Sequence, residues 1–189
     1  MKKIFFSLGL FTLITERPIL PLESKTLSER EIEIFMNAVR MGNLEVLRKS
    51  ITQLNIDTYD EDGFTALLHA ASSNNSEVVD FLINNGADVT IPDKHGLTAL
   101  HYAAHHGNTH AIALLLENGA DPNANNNTQG HTPLMLAAQT DSTESVKLLL
   151  NNNACPTMLD CNDKSAMDHA REQDNVRSVS MILEALDIY

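Results

Sequence analysis

Residues 63–88 read GFTALLHAASSNNSEVVDFLINNGAD, and the same phrase returns twice in register. It reappears as GLTALHYAAHHGNTHAIALLLENGAD from Gly96 and as GHTPLMLAAQTDSTESVKLLLNNNAC from Gly130. A worn copy, DKSAMDHAREQDNVRSVSMILEAL, starts at Asp163. The matching alanines Ala70, Ala103, Ala137 and Ala170 are spaced by 33, 34 and 33 residues. A period of that size with two short helices per unit predicts a solenoid, in which each repeat packs only on its neighbours.

Each recurring residue has a physical reason. Thr65, Thr98 and Thr132 sit where a side-chain oxygen caps a first helix, and Pro133 suits a first helical position. Leu67, Leu100 and Leu134 then point inward, and the pairs Ala70-Ala71, Ala103-Ala104 and Ala137-Ala138 keep the helix thin enough for close approach. Gly107 permits a tight turn into the second helix, where Asn74 and Asp141 substitute for it. Second helices carry Val78, Val79, Phe81 and Leu82, then Ile112 and Leu114 to Leu116, then Val146 and Leu148 to Leu150. Gly86, Gly119 and Asn153 follow at the expected left-handed C-cap.

This wording, Thr-Ala/Pro-Leu-His with a paired alanine, Leu-Leu and Gly-Ala-Asp, resembles the ankyrin repeat over residues 30–189. The resemblance implies an all-α solenoid of helix-turn-helix units with projecting β-hairpin fingers. The expected boundaries are a cap repeat at 30–59, full repeats at 60–92, 93–126 and 127–159, and a second cap repeat at 160–189. In the first cap Ile32, Ile34, Phe35, Ala38, Val39, Leu44, Val46, Leu47 and Ile51 read as apolar positions. In the last, Met167, Ala170, Val176, Val179, Ile182 and Leu183 are expected to cover the third full repeat.

The residues before the array read differently. Lys2 and Lys3 precede an apolar run, Ile4 to Ile14, so residues 1–17 have the layout of an export signal but lack an Ala-x-Ala-like cleavage pair. An uncleaved anchor and an apolar segment packed on the first repeat are the alternatives, and the run is shorter than the roughly 20 residues of a membrane span. Residues 18–29 read as a linker. The protein is therefore expected to be exported, or else cytoplasmic, and monomeric.

A net charge of −12 argues against a nucleic-acid partner, which needs a basic face. No phosphate-binding glycine motif and no nucleophile–base–orienter pattern is visible, so neither enzymatic activity nor a cofactor is expected. Cys155 and Cys161 are the two cysteines; they either pair across the last finger or stay as thiols.

Binding of another protein remains, and the resemblance places it on the concave face. The candidate partner-binding residues there are Arg40, Met41, Tyr59, Glu61, Asp62, Phe64, Lys94, His95, Leu97, His105, His106, His131 and Gln139. Asp57, Asp60, Glu61 and Asp62 around Tyr59 and Phe64 suit a partner that carries a basic patch beside an apolar anchor. A different reading takes His95, His105, His106 and His131 as a metal- or pH-responsive cluster. The resemblance also implies that Asn123, eight residues after Leu115, is a candidate for hydroxylation; hydrogen bonding within its own finger is the simpler role.

Overall fold

The computed structural model describes residues 27–51, 54–125, 129–140 and 142–186. The candidate signal segment, most of the linker, Thr128 and Asp141 lie outside the described residues. Ten helices are present among those described: α1 Leu27–Met41, α2 Leu44–Ser50, α3 Ala66–Ser72, α4 Ser76–Asn84 and α5 Ala99–His105. They continue with α6 Thr109–Glu117, α7 Pro133–Gln139, α8 Thr143–Asn151, α9 Ala166–Glu172 and α10 Val176–Leu186. None is long and apolar enough to cross a membrane.

Helices α3, α5, α7 and α9 are short because each is bracketed by polar signals. The Thr65 and Thr132 hydroxyls accept the amides of Leu68 and Met135 at 3.3 Å, and Ser165 does the same for Asp168. Nine residues after the cap the chain turns left-handed, at Asn74 (φ 55°), Gly107 (φ 67°) and Asp174 (φ 56°). The residue after this turn caps the second helix: Asn43, Asn75 and Asn108 accept the amides of Val46, Val78 and Ala111. These asparagine caps complete the tight helix-turn-helix and satisfy amides that the helix itself leaves open.

Consecutive helices pair within each repeat, and the first helices α1, α3, α5, α7 and α9 contact one another in order. The second helices α4, α6, α8 and α10 form a parallel outer row. The alanine pairs of α3, α5 and α7 are fully buried between neighbours, so any larger side chain there would push repeats apart. Ile112, Leu115, Val146 and Leu149 are also fully buried, whereas Leu114, Leu116, Leu148 and Leu150 pack on the core edge.

Four details depart from the sequence reading. Helix α1 begins at Leu27, inside the segment expected as linker. In that helix Met36 is buried (1 % exposed) while Ile34 is 55 % exposed, because the core-facing stripe runs through Phe35, Met36 and Val39. In α10 Val176 and Leu183 are exposed, and Ile182 with the small Ser178 faces inward. The fingers, finally, are not β-hairpins: no strand occurs among the described residues, only an isolated bridge between Tyr59 and Thr65. The fingers close with short backbone bonds, such as Asp60 N–H to Phe64 O and Gly63 N–H to Asp60 O, or Asp93 N–H to Leu97 O and Gly96 N–H to Asp93 O. A left-handed residue completes the turn, Gly63, Gly96 and Gly130, with Asp163 in the last copy (φ 59°).

Candidate functional site

What fixes the fingers is an aspartate three residues before the turn residue. Asp60 Oδ1 accepts the amides of Asp62 and Phe64, Asp93 Oδ1 those of His95 and Leu97, and Asp160 Oδ1 those of Asn162 and Lys164. The second oxygen reaches the first helix of the same repeat. Asp60 Oδ2 meets His69 Nε2 at 2.6 Å, Asp93 Oδ2 accepts the Tyr102 hydroxyl at 2.7 Å, and Asp160 Oδ2 meets His169 Nε2 at 2.9 Å. Each pair is nine residues apart, and where the third full repeat should repeat it the sequence has Asn127 and Leu136 instead. Burial works to raise Asp60 and Asp160, but the amide and histidine hydrogen bonds outweigh it and hold both carboxyls below the ordinary range. Burial and the Asp93 carboxylate push the Tyr102 phenol above its usual range.

Neighbouring fingers are also tied to one another. Asp57 Oδ1 accepts the Asp88 amide at 3.0 Å, and Asn123 Oδ1 accepts the Cys155 amide at 2.7 Å. Asn123 Nδ2 donates to Asn153 O, so its amide spans two repeats rather than serving its own finger. Of the acidic residues expected at the first finger, Asp57 and Asp60 are thus structural ties; Glu61 and Asp62 are the exposed tip.

The structure gathers part of the expected interaction set into two depressions. A cleft of about 210 Å³ between α1 and the first finger is lined by Glu29, Ile32, Glu33, Arg40, Tyr59, Glu61 and Asp62, among others. Tyr59 is 51 % exposed there, and Arg40 Nη2 bonds Asp60 Oδ2 at 3.0 Å. A second, largely apolar depression of about 270 Å³ is lined by Leu97, Tyr102, His105, Gln129, His131 and Leu136. Phe64 lies half-buried, its ring 5.1 Å from that of His69 and 5.5 Å from that of Tyr102. Met41, 84 % exposed, is set apart, beside Ile34 and Val46. Lys94 and His95 are exposed on the second finger, and Gln139 contacts His169 Nδ1 at 3.1 Å.

The four-histidine set does not assemble. His105 and His106 stack edge-on at 5.2 Å and are exposed, but among the described residues no third ligand residue joins them. Burial and the neighbouring His105 hold His106 below the ordinary imidazole range. Among the described residues, the one group of three or more potential metal ligands is His131, Asp160 and His169, with ligand atoms all within 4.8 Å. Asp160 and His169 escaped the sequence reading, although their nine-residue spacing repeats that of Asp60–His69 and Asp93–Tyr102. His101 is structural, as its place in the repeated phrase implies. Its Nδ1 accepts the Thr98 amide and its Nε2 meets His131 O, while burial holds it below the ordinary imidazole range. Cys155 and Cys161 are thiols in the structure; no disulfide joins them.

A family model described as ankyrin repeats (3 copies) matches residues 35–126 and 123–189. The chain belongs to the ankyrin-repeat family. Comparison with curated proteins gives no match. Ankyrin repeats are generally protein–protein interaction modules.

Proposed function

We propose that this ankyrin-repeat chain is a non-enzymatic module that binds another protein on its concave face, through the cleft between α1 and the first finger. The observation that carries the reading is the lining of that cleft. Carboxylates of Glu29, Glu33, Glu61 and Asp62 surround the apolar surface of Ile32 and the half-exposed Tyr59 ring. The one basic residue in the lining, Arg40, is engaged by Asp60 and Asn37. An acidic rim around an aromatic anchor suits a partner segment that offers Lys or Arg beside an apolar side chain. Acidity over the whole chain, at −12, extends the same field and favours fast capture of a basic partner.

The test is kinetic. The full chain is used to capture partners, and association with a captured partner is followed by stopped flow at several salt concentrations. Glu61→Lys/Asp62→Lys is expected to slow association roughly tenfold or more at low salt and to flatten its salt dependence. Unchanged association would move the binding site away from the first finger.

A further inference from the structure

Three side chains from two repeats converge where the last repeat docks on the one before it. Asp160 Oδ2 lies 2.9 Å from His169 Nε2 and 3.5 Å from His131 Nε2, and the carboxylate is fully buried while the His131 side chain keeps 14 % exposure. The two imidazoles stand nearly perpendicular, 5.2 Å between centroids. Bonds of about 2.0–2.2 Å to a tetrahedral zinc ion place its ligand atoms about 3.3 Å apart. Both nitrogen–oxygen separations bracket that value. Only the nitrogen–nitrogen separation, within 4.8 Å, needs to close, and rotating the partly exposed His131 ring can close it.

The first full repeat supplies an independent observation. There the equivalent carboxylate, Asp60, faces His69 Nε2 with the same oxygen and also holds a cation, the Arg40 guanidinium, at 3.0 Å. This register position therefore takes a positive charge beside its histidine. In the last repeat a second imidazole, that of His131, approaches the same carboxylate oxygen instead of a guanidinium.

We propose that His131, Asp160 and His169 bind a divalent transition-metal ion, zinc foremost, which staples the last repeat to the third full repeat. Two imidazoles and a carboxylate favour zinc over the hard cations magnesium and calcium, which take mainly oxygen ligands. Asp160 is already oriented, because Oδ1 is held by two backbone amides and Oδ2 alone is turned to the histidines. His169 has an outer partner in Gln139, next to Nδ1. When Nε2 turns its lone pair to the metal, the ring proton moves to Nδ1 and donates to the Gln139 carbonyl oxygen after the amide rotates. Three protein ligands leave the fourth position to water, reached along the exposed edge of His131.

The experiment titrates Zn2+ into the metal-free full chain at pH 7.5, by calorimetry and by competition with a chromophoric chelator. One ion per chain is expected, at about micromolar dissociation constant or tighter. His131→Leu is the decisive variant, since Leu97 occupies the same register in the preceding repeat and the fold accommodates it. It should bind zinc roughly tenfold more weakly or worse, and zinc should raise Tm for the wild type but not for this variant. His105→Ala/His106→Ala should bind like the wild type. Absence of zinc uptake by the wild type, an unchanged affinity in His131→Leu, or loss in the His105/His106 variant would each overturn the assignment.

Discussion

Tyr102→Phe isolates the finger clamp in the second full repeat. The phenol donates to Asp93 Oδ2 at 2.7 Å, while Asp93 Oδ1 already holds two finger amides at 2.8 Å each. Phenylalanine keeps the ring that packs 5.5 Å from Phe64, so only the hydroxyl is lost. A hydrogen bond to a buried carboxylate contributes about 1.5–3 kcal/mol, and Asp93 is 6 % exposed, so water can replace the phenol only in part. With a urea m-value of about 2 kcal/mol/M, the denaturation midpoint should fall by roughly 1 M at unchanged m. Asp93→Asn and the double variant complete a cycle, in which the two losses should couple by about 1 kcal/mol or more. A loss below about 0.5 kcal/mol for Tyr102→Phe, or strict additivity in the cycle, would refute the clamp as a stabilising device.

Leu115→Ala empties a fully buried site between second helices and should cost about 2–5 kcal/mol by chemical denaturation; a loss near zero would contradict the packing. Gly107→Ala places a Cβ at φ +67°, 2.7 Å from Ser142 Oγ, and should destabilise by about 1–2 kcal/mol or more, read from the same denaturation curves. Stability should also fall on acidification below pH ~6.5. His101 and His131 are held below the ordinary range, chiefly by burial, so the unfolded chain takes up protons before the folded one. The contribution is complete above the unfolded value and is lost toward the folded one, with a slope of up to about 1.4 kcal/mol per pH unit for each histidine kept neutral. His101→Gln should flatten that slope between pH 6.5 and 5, measured by urea titration at each pH.

Much of the architecture was legible in the chain because its signals are local. A threonine cap, a left-handed residue at 74 or 107, and a glycine or asparagine after the second helix act within one or two turns of backbone. Each recurs at the repeat period, so the copies corroborate one another. Helices α1 and α10 were less legible, since Ile34 and Val176 are apolar yet exposed, and spacing alone does not say which apolar residues face the core. The fingers were misread as hairpins because their polar sequences carry no sign that one aspartate side chain replaces a strand ladder.

The sequence by itself determined the period, the helix pairs, the buried alanine and leucine rows and the acidic charge, because each follows from residue type and spacing along the chain. Tertiary structure alone decided which polar groups meet. His131 and His169 are far apart in sequence, and a solenoid brings them together only because stacking sets one repeat's finger against the next repeat's helix. The same stacking turns Asp57 and Asn123 into inter-repeat ties, leaves Glu61 and Asp62 at the exposed tip, and parts His105 from the ligand set it was expected to join.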